Sequence, residues 1–151
     1  NPFTAHYTPF GFHTVDEEVV YHALPYRPEP GDTLLLSAPW RILLELYSGD
    51  HRMVLGLDLY NDIVLGRGES RPGRIVLDLD PYGAKGLGVS REHVMLRPAT
   101  NKLFAIDQGS TNGTLVNGVP SGRGLATALK DEDLLSLGNL VLMLHVVTRP
   151  E

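Results

Sequence analysis

Two Asn-Gly pairs, Asn112-Gly113 and Asn117-Gly118, fall within the single stretch Asp-Gln-Gly-Ser-Thr-Asn-Gly-Thr-Leu-Val-Asn-Gly at residues 107–118, and they restrict the fold more than anything else in the chain. Asn-Gly accepts the positive φ values that tight two-residue hairpin turns demand, so each pair predicts a sharp reversal between strands. Thr114, Leu115 and Val116 supply the short strand between them. A helix cannot carry this punctuation. Hydroxyls and backbone N–H groups held on so rigid an edge can converge on an anion.

The same texture extends through most of the chain. Residues 41–47 and 52–57 flank Ser48-Gly49-Asp50 and read as a hairpin; residues 63–66, 75–79, 93–96, 102–107, 114–116, 134–137 and 140–147 read as further short strands. Short strands with regular turn signals predict an all-β fold, a two-sheet β-sandwich of mostly antiparallel strands spanning residues 32–149. The 42% of hydrophobic residues suffices for its core. Residues 1–31 differ, with His6, His13, His22 and several aromatics followed by Pro25, Pro28 and Pro30, and read as an extension and linker. Within them Thr14-Val15-Asp16-Glu17 has capping-box spacing, and Val15, Val19, Val20 and Ala23 give an apolar face, which predicts a short helix stopped by Pro25. The start at Asn1 rather than Met leads us to expect a larger or processed parent chain.

Composition removes several function classes. Thirteen basic against eighteen acidic residues leave a net charge of -5, the wrong sign for a nonspecific nucleic-acid surface. The absence of cysteine excludes disulfides, thiolate metal sites and cysteine nucleophiles, and leaves the redox compartment open. The apolar stretch 134–147 is broken by Ser136, Gly138, Asn139 and His145, so it reads as two strands and a turn rather than a membrane span. The cytoplasm is the expected location. His6, His13 and His22 are spaced seven and nine residues apart, a pattern that fits no standard ligand set, so no metal or cofactor is expected. Ser90, His93 and Asp107 can be assembled on paper into nucleophile, base and orienting acid. However, residues three apart on an extended run point to opposite faces, and no Gly-x-Ser-x-Gly elbow surrounds Ser90, so no enzyme is expected.

Motifs in a fixed order sharpen the reading. Gly66-Arg67 closes the run Ile63-Val64-Leu65, Ser90-Arg91-Glu92-His93 opens the run Val94-Met95-Leu96, and Ser110-Thr111-Asn112-Gly113-Thr114 follows. A Leu-x-Asp-x-Asp segment from Leu129 to Asp133 and the turn Leu137-Gly138 complete the set. Together they resemble a forkhead-associated (FHA) domain over residues 40–147, roughly two-thirds of the chain. The resemblance implies a non-catalytic module that recognises phosphothreonine in extended peptides for signalling or protein assembly, downstream of a Ser/Thr kinase.

A phosphothreonine presents nearly two negative charges and three acceptor oxygens, so its receptor needs a fixed cation and several oriented donors. By the resemblance Arg67 supplies the cation, its guanidinium fork matching two phosphate oxygens. Ser90 adds a hydroxyl and neighbouring peptide N–H groups, Arg91 a backbone or side-chain donor, and Thr111 a second hydroxyl. Asn112 is expected to hold the ligand backbone extended. Gly66, His93 and Gly113 are expected to support the site, with His93 bracing the loop from inside, and Asn117-Gly118 reads as a turn only. One departure stands out: the 22 residues 68–89 between Arg67 and Ser90 form a longer connection than the resemblance leads us to expect, with 71–74 and 81–86 as loop material. The alternative reading keeps the sandwich but docks partners through another surface without phosphate. The N-terminal extension, with Thr4, Thr8 and Thr14, is then a candidate for self-association or for a tethered ligand.

Overall fold

The computed structural model describes residues 7–8, 11–12, 19–23, 36, 38–48 and 51–150. Their strands are, in chain order, β1 (Tyr7–Thr8), β2 (Gly11–Phe12), β3 (Val19–Ala23), β4 (Trp40–Ser48), β5 (His51–Leu59), β6 (Ile63–Gly66) and β7 (Val76–Asp78). A single 3-10 turn (Asp80–Tyr82) follows, then β8 (Glu92–Pro98), β9 (Leu103–Asp107), β10 (Thr114–Val116), β11 (Val119–Ser121), β12 (Ala126–Leu129), β13 (Leu134–Leu137) and β14 (Leu140–Thr148). One sheet runs β11-β10-β13-β14-β4-β5-β3 and the other β12-β9-β8-β6-β7, while β1 and β2 pair with each other. All pairs are antiparallel except β3 with β5 and β6 with β7.

Alternation explains why these segments are strands and which way they face. Along β4 the residues Trp40, Ile42, Leu44 and Leu46 enter the core, and Leu44 stands opposite Leu55 of β5. Leu55, Leu57, Leu59, Leu135, Leu137, Leu140, Leu142 and Leu144 complete the inner face of the larger sheet. Ile63, Leu65, Val94, Leu96, Leu103 and Ala105 bring the smaller sheet against it. Side-chain period two on both sheets thus closes one apolar interior, the expected two-sheet sandwich.

Four segments differ from the sequence reading. Val19–Ala23, part of the stretch read as a helix, is a strand in parallel register with β5, Val19 opposite Arg52 and Ala23 opposite Gly56. The β-branched pair Val19-Val20 and the following tyrosine suit a pleated edge better than a helix; residues 14–18 lie outside the described residues. The 68–89 connection is folded where loop was expected: besides β7, which falls within the expected strand 75–79 and lies beside β6, it holds a tight turn in which Arg71 and Arg74 exchange backbone hydrogen bonds and, after β7, the 3-10 turn. Pro72-Gly73 is the centre of that turn, with Gly73 at φ +77°. Finally, β11 and β12 carry no clear strand pattern of their own: each is an outermost strand of its sheet, one containing Pro120 and the other mostly small residues. No helix among the described residues is long and apolar enough to cross a membrane.

Leu44 is fully enclosed between the sheets. Leu44→Ala should therefore lower the unfolding free energy by about 2–5 kcal/mol, read from the midpoint of urea denaturation.

Candidate functional site

Three connections meet at one end of the sandwich: the chain leaving β6, the chain entering β8, and the loop from β9 to β10. Gly66 permits the first meeting. A Cβ there would lie 2.1 Å from the carbonyl oxygen of Arg91, which already accepts from the N–H groups of Arg67 at 2.9 Å and Gly68 at 2.8 Å. Any larger residue would push β6 away from β8. Arg67 Nε donates to the Val89 carbonyl at 2.5 Å, and its terminal nitrogens have no partner among the described residues. Ser90 Oγ accepts from Thr111 N at 3.0 Å, which joins the two loops and leaves the serine hydroxyl hydrogen free to be donated outward.

His93 locks this arrangement from beneath. Ser90 N donates to its Nδ1 at 3.0 Å, so Nδ1 carries no proton, and Nε2–H donates to the Gly113 carbonyl at 2.8 Å. The ring is fully buried and neutral. Burial pushes its pKa below the ordinary histidine value, against smaller opposing effects of the Gly113 hydrogen bond and the Asp107 charge. With both ring nitrogens committed to backbone groups and Ser90 Oγ joined to Thr111 N, the Ser90 hydroxyl makes no hydrogen bond to His93, as a nucleophile–base pair would require. Asn112 completes the edge: Nδ2 donates to the Gly88 carbonyl at 2.9 Å, while the side chain stays exposed.

Asp107 does different work. Its Oδ2 accepts from Gly109 N at 2.9 Å and Ser110 N at 3.1 Å, and its Oδ1 from Ser110 Oγ at 2.6 Å and Thr114 Oγ1 at 2.7 Å. Burial alone would raise its pKa, but the hydrogen bonds from Ser110, Thr114 and Gly109 outweigh that and hold the carboxyl below its usual value. Ser110 Oγ in turn accepts from Gly113 N at 3.0 Å. The loop is thereby wound around one carboxylate, with Thr111 and Asn112 left exposed on its crest.

The eight residues assigned to the phosphopeptide site from the sequence thus gather at one end: Arg67, Ser90, Arg91, Thr111 and Asn112 on the surface side, and Gly66, His93 and Gly113 beneath. Asn117-Gly118 is a turn, with φ of 52° and 79° at its two residues, and also a brace, since Asn117 Nδ2 donates to Asp133 Oδ1 at 2.9 Å and Asn117 Oδ1 accepts from Leu134 N at 2.9 Å. The sequence reading missed the loop-shaping role of Asp107, although an Asp two residues before a Gly, here Asp107 and Gly109, is an Asx-turn signal. It also missed Arg123, whose Nη2 donates to the Ser110 carbonyl at 3.0 Å. A third omission was the cluster beside the site, where Glu92 pairs with Arg74 and with Arg71 at 2.6 Å while Arg74 reaches Gln108 at 2.5 Å. Hydrogen bonds from Arg71 and Arg74 pull the Glu92 carboxyl down to about 2. Among the described residues no group of His, Cys, Asp or Glu is placed to hold a metal, and the side chains of His6, His13 and His22 lie outside them.

Comparison with known proteins finds the FHA domain family, whose model matches residues 63–138. Among solved structures, the chain is similar to one from a structural and functional analysis of phosphothreonine-dependent FHA domain interactions, at 27% identity and TM-score 0.51, covering 74% of this chain and 99% of that one. It is similar also to the FhaA FHA domain complexed with the intracellular domain of Rv3910, at 28% identity and TM-score 0.50, covering 69% and 99%. The FHA domain of CT664 from Chlamydia trachomatis, at 21% identity and TM-score 0.53, covers 70% and 96% and shares the fold. No curated protein matches the sequence.

His93→Ala should destabilise the fold before it affects anything else, because it strands the Ser90 N–H and the Gly113 carbonyl. The sign of the pH dependence follows from the same ring. Its folded pKa lies below the ordinary histidine value of about 6.5, so the unfolded state binds the extra proton first, and stability falls as pH drops below about 6.5. Comparing urea midpoints of wild type and His93→Ala at pH 7.5 and pH 5 should show a smaller pH-dependent loss in the variant.

Proposed function

Because this chain belongs to the FHA domain family, we propose that it is a phosphopeptide-binding module that recognises phosphothreonine in extended peptides, without catalysing a reaction. One observation carries the reading. The hydrogen bond from Thr111 N to Ser90 Oγ sets two hydroxyl-bearing residues side by side, while Arg67 is anchored one residue before Ser90, at the Val89 carbonyl, with its terminal nitrogens uncommitted among the described residues. A tetrahedral dianion needs a fixed cation and convergent neutral donors, and this edge offers both without rearrangement. Arg67 takes the charge, and the hydroxyls of Ser90 and Thr111 donate to the oxygens. Arg91 contributes through its backbone N–H or guanidinium, and Asn112 holds the peptide main chain. The similar structure from work on phosphothreonine-dependent interactions supports the same reading. The ligand is then the product of a Ser/Thr kinase, and a cytoplasmic setting follows from that partner.

Arg67→Ala and Ser90→Ala should each weaken binding of a phosphothreonine peptide by about tenfold to 150-fold, equivalent to about 1.5–3 kcal/mol for a charge-assisted contact. Melting temperature should change little. Arg67 keeps its backbone bonds, and the Thr111 N–H released by Ser90→Ala lies at an exposed position where water can take it. Isothermal titration with phosphorylated and unphosphorylated forms of one peptide checks this, and equal affinity of both forms for wild type would remove the proposal.

A further inference from the structure

Five of the ten arginines lie in or touch the loops of the site: Arg67, Arg71, Arg74, Arg91 and Arg123. The acidic groups facing them are few. Glu92 is engaged by Arg71 and Arg74, Asp107 is buried and saturated by the loop it organises, and among the described residues Glu69 and Asp78, the latter opposite Gly66 and capped by the Asp80 N–H, are the other acids nearby. A chain with a net charge of -5 has therefore concentrated positive charge at this end.

Within the group Arg123 is unusual. It belongs to none of the motifs that mark the family resemblance, yet it is fixed in two ways. Its neighbour's N–H, Gly124 N, donates to the Asp107 carbonyl at 3.0 Å, and Arg123 itself bridges Asp107 in parallel register. Its Nη2 then donates to the Ser110 carbonyl at 3.0 Å, one residue before Thr111. The residue is exposed, and Nε and Nη1 have no partner among the described residues. A guanidinium held by one nitrogen and open at the others is preorganised for a planar anion. Arg67 is tied to the Ser90 loop and Arg123 to the Thr111 loop, so the two cations approach the Ser90–Thr111 hydrogen bond from different connections.

We propose that Arg123 is a specificity-determining residue that selects phosphothreonine peptides carrying a side-chain carboxylate close to the phosphothreonine. The inference rests on the phosphothreonine reading above and adds the class of sequence preferred. The phosphate meets Arg67, and the carboxylate meets the open edge of the Arg123 guanidinium. The three other arginines are less suited to that role: Arg71 and Arg74 both already pair with the single carboxylate of Glu92, and Arg91 has no partner among the described residues to fix its side chain.

The test uses phosphothreonine peptides in an alanine background in which one Asp, or one Lys, is moved through each flanking position. Affinities are measured for wild type, Arg67→Ala, Arg123→Ala and Arg123→Glu, with melting curves to confirm folding. Wild type should bind one Asp register about five- to tenfold more tightly than the background peptide, the range expected for a partly exposed bidentate pair. Arg123→Ala should abolish that preference while leaving the background peptide nearly unchanged, and Arg123→Glu should favour Lys in the same register. A purely structural Arg123, or one that touches the phosphate, would instead weaken all phosphopeptides alike, and that result overturns the proposal. So does an Asp preference that survives in Arg123→Ala, or no Asp preference at any position. If wild type bound no phosphopeptide at all, the phosphothreonine reading would fall and this inference with it. Phosphopeptide binding that Arg67→Ala abolishes, without Asp selectivity, would overturn this inference alone.

Discussion

A buried carboxylate cannot be left without donors, and that requirement at Asp107 shapes the end of the molecule where its loops gather. The side chain is nearly solvent-free, so its two oxygens must find protein partners, and they take two backbone N–H groups and two hydroxyls from residues 109–114. Those contacts leave the loop few other ways to run. Gly109 and Gly113 take the positive φ values that the path demands, and Thr111 and Asn112 are lifted to the outside. The carboxylate itself does not reach the surface; its effect on the candidate site is geometric.

His93 couples that loop to the next one. The strand carrying it pairs with β9, and Gln108 N donates to the His93 carbonyl at 2.9 Å, so histidine and aspartate sit on neighbouring strands at the same end of the sheet. The ring then reaches the Gly113 carbonyl and receives the Ser90 N–H. A neutral imidazole suits this role well, since it accepts at one nitrogen and donates at the other, joining a backbone donor on one loop to a backbone acceptor on another. A site assembled on such braces forfeits little conformational entropy when a ligand arrives.

Much of this was legible in the sequence, and the limits follow from the physics. Strands such as β6, β10 and β13 were found with their correct ends because Gly and Asn-Gly punctuation adjoins clear apolar runs. The edge strands β11 and β12 were not, since their pairing depends on neighbours rather than on their own weak propensity. Val19–Ala23 was read as helix because valine spacing and a capping box outweighed β-branching, and only pairing with β5 reverses that judgement. In the candidate site the motif residues were legible, whereas Arg123 was not. It lies far along the chain, and its place beside Ser110 is fixed by the Gly124 to Asp107 bond, which no local pattern announces.

The long 68–89 connection illustrates how two stretches that read as loop, 71–74 and 81–86, become with the strand between them part of a rigid site. Leu79, Ala84 and Val89 are buried in the common core and act as three apolar anchors along it. Its end is then gripped from the other sheet: Asn139 N donates to the Leu87 carbonyl at 2.8 Å, and a Cβ at Gly138 would stand 2.7 Å from that oxygen and 2.8 Å from the Gly88 carbonyl. The backbone of β13 and β14 can approach this closely only where glycine turns the chain. Gly88 faces the same demand from the other side, where a Cβ would come within 2.7 Å of Asn112 Nδ2. The turn between β13 and β14 therefore supports Leu87 and Gly88, Gly88 receives Asn112, and Val89 holds Arg67. Position is thus passed from the larger sheet to backbone carbonyls of the 68–89 connection, and from those carbonyls to the side chains of Asn112 and Arg67.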